Sequence, residues 1–228
     1  MSLDHLLTCL IHCPLLEELA FPINKSTYSH TQELPPLIKL SRLRHFSLSL
    51  GEGINPGYLI DVLFLPALIS LEVFMDLDID HCADWPHLRP MLARSRPPLQ
   101  TLCLWSVPIA GWTLRECLSY IPSLILLQLD GICSNDTFLE ILTVDEDDPS
   151  GNVCSCLETI KFASASRCSP SAMVKMILSR RKSAKSTDIT TRRALEHLYI
   201  GFFDLDGILS NPEIAECVAD GLQLTDCS

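Results

Sequence analysis

Pro66-Ala67-Leu68-Ile69-Ser70-Leu71-Glu72-Val73 carries the frame Pro-x-Leu-x-x-apolar-x-apolar. The same frame returns at Pro14-Leu15-Leu16-Glu17-Glu18-Leu19-Ala20-Phe21, at Pro97-Pro98-Leu99-Gln100-Thr101-Leu102-Cys103-Leu104 and at Pro122-Ser123-Leu124-Ile125-Leu126-Leu127-Gln128-Leu129. Leu43/Phe46/Leu48, Leu157/Ile160/Phe162 and Leu195/Leu198/Ile200 repeat it without the proline. Alternating apolar residues after a turn signal read as a strand with one buried face. Apolar triplets alone recur by chance in so hydrophobic a chain, so the weight falls on the proline. Only 15 of 228 residues are Pro, yet one stands at the same offset in four of the seven frames.

The first leucines of the frames are Leu16, Leu43, Leu68, Leu99, Leu124, Leu157 and Leu195, separated by 27, 25, 31, 25, 33 and 38 residues. The shorter steps match a leucine-rich-repeat period of roughly 20 to 29 residues, and the longer ones need inserted loops. Between the strand frames lie stretches of helical periodicity. Leu3, Leu6, Leu7, Leu10 and Ile11 form one apolar face, Tyr58, Leu59, Val62 and Leu63 another, and Leu114, Cys117, Leu118 and Ile121 a third. Asn135-Asp136-Thr137 predicts a cap for a helix through Phe138, Leu139 and Leu142. Residues 171–181, with Met173, Val174, Met176 and Ile177, end in bases suited to a helix C-terminus, and 212–222 opens on Pro212 and closes on Gly221. The expected fold is therefore α/β: a leucine-rich-repeat-like solenoid, 1–228 as one domain, with parallel strands on the concave side and helices on the convex side. Loops are expected near 143–152, where Asp145-Glu146-Asp147-Asp148 is acidic, and 180–193, which is basic and Ser/Thr-rich.

Composition narrows the function classes. The net charge is −11, and seven of the 17 Lys and Arg residues crowd into 175–193 without interleaved aromatics, which disfavours nucleic-acid binding. The apolar runs are too short to cross a membrane, Asp4 and His5 interrupt any secretion signal, and an intracellular location, cytoplasmic or nuclear, is expected. Eleven cysteines, an odd number set mostly at apolar positions, read as core residues in a reducing compartment. Cys9-x-x-x-Cys13 and Cys154-x-Cys156 lack a second pair at zinc spacing, so no metal is expected. Asp76-x-Asp78-x-Asp80 resembles the start of a calcium loop, but His81 stands where glycine is required and His87 where the closing glutamate should be. Asp204-Leu205-Asp206-Gly207 places its glycine too early for the same loop, and both read as acidic loops. No glycine-rich phosphate loop or nucleophile elbow occurs, and His81, Cys82 and His87 find no orienting group; no catalytic residue, cofactor or enzymatic activity is expected.

The strand frames, the segment SAMVKMILSRR at 171–181 and the closing VADGLQL at 218–224 together resemble the leucine-rich-repeat-like region of fungal F-box proteins, especially those of mushroom-type fungi. The resemblance spans nearly the whole chain but not the F-box itself; Glu33-Leu34-Pro35-Pro36 is too isolated to open one. It implies a non-catalytic protein-recognition module, the substrate-binding portion of a ubiquitin-ligase adaptor, with a cullin-ligase adaptor as partner only where an F-box is present. The alternative is an interaction scaffold without a ligase link.

If the strands pleat with their anchors inward, the alternate positions line the concave face. Of these, His45, Glu72, Phe74, Trp105, Gln128, Asp130, Lys161, His197 and Tyr199 are the expected protein-binding residues, with the large aromatics as anchors. A solenoid also needs polar ends, whereas this one starts on Leu3, Leu6, Leu7 and Leu10. That end is expected to exchange amide hydrogens faster than the central repeats unless another domain or chain covers it, measured by hydrogen exchange on the isolated chain.

Overall fold

The computed structural model describes residues 2–23, 37–76, 84–131, 135–148, 151–162, 168–185, 193–201 and 205–226. It is a mixed α/β fold in which parallel strands are flanked by helices, and the chain divides into two compact units, Met1–Ile121 and Pro122–Ser228. One domain over 1–228 is the expectation from the repeat; the two units are described separately.

The first unit contains α1 (Leu3–His12), β1 (Glu18–Ile23), β2 (Ile38–Lys39), β3 (His45–Leu50), α2 (Gly57–Val62), β4 (Leu63–Phe64), β5 (Ser70–Met75), α3 (Leu88–Ser95), β6 (Thr101–Trp105) and α4 (Gly111–Ser119). Strands β1, β3, β5 and β6 are parallel neighbours in that order, and β2 pairs separately with β4. The second unit contains β7 (Leu126–Asp130), α5 (Asp136–Leu142), β8 (Thr159–Phe162), α6 (Pro170–Lys185), β9 (His197–Ile200), α7 (Leu205–Leu209), α8 (Pro212–Ala219) and β10 (Gln223–Asp226). Its strands run parallel in the order β7, β8, β9, β10. Parallel neighbours in sequence order are joined over one face of a sheet when their crossovers share the usual right hand. The anchors of β3, β5, β6, β7, β8 and β9 are the buried side of their strands.

The frame acquires a mechanism here. The amide of Leu16 donates to the Cys13 carbonyl at 3.2 Å and that of Leu68 to Leu65 at 3.4 Å, closing β-turns whose second residues are Pro14 and Pro66. Proline suits this position because its fixed φ matches the turn and the N–H it lacks is not needed there. Leu43 and Leu157 close the same turn on Leu40 and Cys154 without proline. After each turn a single carbonyl receives two successive amides of the next strand: Glu17 from Arg44 and His45, Arg44 from Ile69 and Ser70, Ile125 from Glu158 and Thr159. The apolar anchors then enter the core, with Leu68, Leu71, Leu99, Leu102, Leu127 and Leu198 fully buried.

The first frame differs. Leu16, Leu19 and Phe21 are only half-buried, and Leu15 is 66% exposed. By contrast Leu3, Leu6, Leu7 and Leu10 of α1 are buried, so the apolar face from which a poorly protected end was expected is already covered; the exposed apolar residues there are Ile11 and Leu15. Among the described residues β1 is an edge strand. Because His45 and Gly51 donate to Glu17 and Ile23, the backbone groups of Glu18, Ala20 and Pro22 turn to the open edge. Pro22 thus sits where no partner strand needs its missing N–H, and it blunts that edge against further pairing.

Several elements depart from expectation. The loop expected from residue 180 is instead helix as far as Lys185, because Arg180 and Arg181 are buried structural cations and not solvated bases. Leu63, expected in a helix, begins β4 and pairs with Ile38. Leu205, Asp206 and Gly207 lie in α7, so the described part of the second acidic motif is helical and not a loop; Asp204 lies outside the described residues. β10 adds a strand beyond the seven frames. Asn135 caps α5 through the Thr137 amide at 3.1 Å, and Gly221, at φ +96°, follows α8, as the sequence predicts. Residues 77–83, which hold most of the calcium-like motif with His81 and Cys82, and 33–36 lie outside the described residues.

Neighbouring helices are joined by side chains that satisfy helix ends. Arg94 of α3 donates to the carbonyls of Ile60 and Leu63 at 2.5 and 2.7 Å, while Ser95 accepts from the Leu65 amide at 3.0 Å. Ser179 and Arg180 of α6 repeat the device on α5: Ser179 accepts from the Val144 amide at 3.0 Å, and Arg180 donates to Leu142, Cys154 and Val153 at 2.6, 3.0 and 3.1 Å. Acidic groups do the same at N-termini. Asp84 accepts from the Ala110 amide and the Thr113 hydroxyl at the start of α4, and Asp136 from the amide and hydroxyl of Ser169 before α6, bonds that hold its carboxyl below the usual range. A Cβ at position 57 would stand 2.4 Å from the His87 ring, so a larger residue there must turn that ring away from Asp61, which holds it at 2.8 Å.

Truncating Arg180→Ala strands the buried carbonyls of Leu142 and Val153 and leaves that of Cys154 with the Leu157 amide alone; at on the order of 1 kcal/mol or more for each stranded group, unfolding in urea should reveal a loss of about 2 kcal/mol. Arg193→Ala, which removes an exposed ion pair with Glu158, should leave the urea midpoint nearly unchanged in the same assay.

Candidate functional site

The pleat that buries the anchors turns the alternate side chains to the opposite face. On the first unit the register sets three rows across the strands: Glu18, His45, Ser70, Thr101; Ala20, Ser47, Glu72, Cys103; and Pro22, Ser49, Phe74, Trp105. Phe74 is 43% exposed and Trp105, its register partner, is half-buried. Glu72 is half-buried and its Oε2 accepts from the Ser47 hydroxyl at 3.2 Å. Small side chains at 20, 47 and 70 leave a shallow depression of about 150 Å³ bordered by Glu18, His45 and Glu72. Cys103 breaks the alternation. It is 5% exposed, a small thiol flanked on its own strand face by Thr101 and Trp105.

On the second unit Leu126, Thr159, His197 and Gln223 form one row, and Gln128, Lys161, Tyr199 and Thr225 the next. The Lys161 ammonium lies 4.9 Å from the centre of the Tyr199 ring, a cation–π contact. The His197 and Tyr199 rings are 6.4 Å apart and inclined by 23°. His197 Nδ1 is buried with no hydrogen-bond partner among the described residues, and its Nε2 is 4.0 Å from Glu196. Asp130, half-buried, ends β7 just before Gly131, whose φ is +63°.

The nine expected residues therefore fall into two groups, His45, Glu72, Phe74 and Trp105 on one unit and Gln128, Asp130, Lys161, His197 and Tyr199 on the other. Each group lies on the sheet face opposite the anchors. Ala163, the alternate position after Lys161, lies outside the described residues. What the strand pattern alone did not convey is the small-residue floor at Ala20, Ser47 and Ser70, visible only when three frames are laid side by side in register.

Chemically reactive arrangements are scarce. No group of three His, Cys, Asp or Glu side chains among the described residues could hold a metal ion. Burial pushes the thiols of Cys117 and Cys154 up to about 12 and that of Cys168 up to about 11, which leaves them protonated and poor nucleophiles at neutral pH. No helix of the described residues is long and apolar enough to cross a membrane. No protein-family model matches the chain, and no curated protein is detectably similar to it in sequence.

A thiol reagent applied to the native chain should modify the exposed Cys9 and Cys13 quickly, while Cys103, Cys117 and Cys154 react only after denaturant is added; peptide mapping after a short pulse distinguishes the two sets.

Proposed function

We propose that the chain is a non-catalytic protein-recognition module, a leucine-rich-repeat-like solenoid with its strands on the concave side, and that it serves as the substrate-binding portion of an F-box-type ubiquitin-ligase adaptor. The observation that carries this reading is the separation of roles within each frame. In every frame after the first the repeated apolar positions are buried, while the alternate strand positions, Cys103 apart, are at least partly exposed and include Phe74, Trp105 and Tyr199, large aromatics on the opposite face. Aromatic side chains with a polar surround are the usual anchors of protein interfaces, because they offer much contact area for little lost rotamer freedom. The ligase link rests on the resemblance to fungal F-box proteins and requires an F-box joined to this region. An intracellular site of action accompanies it.

The test compares proteins cross-linked to the wild-type chain with those cross-linked to Phe74→Ala and Tyr199→Ala variants that unfold at the wild-type temperature. Partners held by the wild type should fall by about tenfold on at least one variant. Retention of every partner by both variants removes the recognition face. Separately, failure of the chain with its native flanking sequence to bind a cullin adaptor removes the ligase link and leaves an interaction scaffold.

A further inference from the structure

We propose that the outward face of β1, β3 and β5 receives an arginine or lysine of its protein partner beside Glu18 and Glu72, with a neighbouring apolar residue of the partner resting on Phe74. The inference rests on the protein-recognition reading above and specifies the chemistry of what is recognised.

Two carboxylates border the depression, and among the described residues neither has a cationic partner. Glu72 accepts only the Ser47 hydroxyl, and Glu18 lies on the edge strand, one row over on the same face. A half-buried carboxylate with spare acceptor capacity gains most from a donor carrying charge, and a guanidinium can meet it through two parallel hydrogen bonds. The floor is made by Ala20, Ser47 and Ser70, so room for a side-chain head exists without moving any anchor. At about 150 Å³ the depression is well below the roughly 300 Å³ of small-molecule pockets, which favours one side chain of a larger partner.

Phe74 supplies the second contact. It stands one strand and one row from Ser47, about 8 Å away from strand spacings of ~4.8 Å and ~3.3 Å per residue. An extended segment places side chains of one face roughly 6.7 Å apart at positions i and i+2. A partner strand or loop with an apolar residue two positions from a basic one therefore spans both features. The chain's net charge of −11 adds long-range attraction for such a partner and speeds encounter at low salt.

The experiment is an amide-resolved NMR titration of the full chain with the capped peptide acetyl-Leu-Ser-Arg-Ser-amide, its counterpart with glutamate in place of arginine, and methylguanidinium chloride. The arginine peptide should shift the amides of Ala20, Ser47, Glu72 and Phe74 at concentrations where the glutamate peptide leaves them still. Glu72→Gln and Glu18→Gln, two substitutions that keep side-chain shape, should each weaken it by about fivefold, with less effect in high salt. Equal shifts from both peptides, shifts confined to other strands, no shift with either, or unchanged affinity in both variants would overturn the inference. Methylguanidinium binding as tightly as the peptide would also overturn it, since the face would then hold a free small cation. None of these outcomes touches the cross-linking comparison, which is read through Phe74→Ala and Tyr199→Ala, so the two readings fail separately.

Discussion

A guanidinium sealed from water, with no carboxylate beside it among the described residues, organises the second unit. Arg180 is 4% exposed, and burial pushes its pKa down to about 10, so it remains charged at neutral pH. A lone buried charge is costly. Here the cost is offset by three carbonyls: Leu142 at the end of α5, and Val153 and Cys154 in the turn before β8. The Leu142 oxygen would itself lack a donor, since the last carbonyls of a helix have no partner within it, whereas that of Cys154 also accepts from the Leu157 amide. Cation and orphan acceptors thus solve each other's problem, and the negative end of the helix dipole adds to the attraction. Cys154 bends to φ +50° at this point, which fits a turn held by its carbonyl. Lysine could not replace the arginine, for its single ammonium cannot reach three carbonyls in a planar fork.

Arg181 turns the same physics toward the other neighbour. It donates to the carbonyls of Leu195 and Asp220 and pairs with the Asp220 carboxylate at 3.0 Å, joining α6 to the end of α8. Two consecutive arginines on one helix therefore reach two different helix ends. In the first unit Arg94 and Ser95 perform the corresponding task for α2, with Arg94 less deeply buried than Arg180. The helices are in this way indexed to one another by polar contacts of defined geometry, whereas the apolar anchors beneath them would tolerate some sliding.

The anchors were legible because burial of alternate residues is a local rule, decided within eight residues at a time. The turn was legible through proline for the same reason. Arg180 was not. A cluster of bases after an apolar stretch reads as a solvated segment, and nothing within the cluster distinguishes Lys182, which is exposed, from Arg180, which is buried. The distinction lies in the carbonyls of Leu142 and Val153, some thirty residues earlier, and appears only when α6 lies against α5. The adjacency of Ser and Arg at both 94–95 and 179–180 was the available signal, and it is too short to be read without the structure. The half-burial of Leu16, Leu19 and Phe21 escaped notice on similar grounds, since the frame is the same and only its position at an edge differs.

These two kinds of contact explain why the outward face is free to vary. Stability resides in anchors on one side of each strand and in arginines among the helices, and neither uses the alternate side chains. A residue such as Ser47 can then be small, leaving space, and Glu72 can keep a charge half out of water, because the Ser47 hydroxyl satisfies only part of its acceptor capacity. On the second unit Lys161 instead finds the Tyr199 ring within the face itself. Among the described residues the two faces thus differ in how their charges are placed: Glu18 and Glu72 border one depression without a cation on the first, whereas Lys161 already lies over an aromatic ring on the second. A charged group left without a partner by its own fold is stabilised most by a donor brought from outside, and that places the stronger demand for a partner on the face bearing Glu18, Glu72 and Phe74.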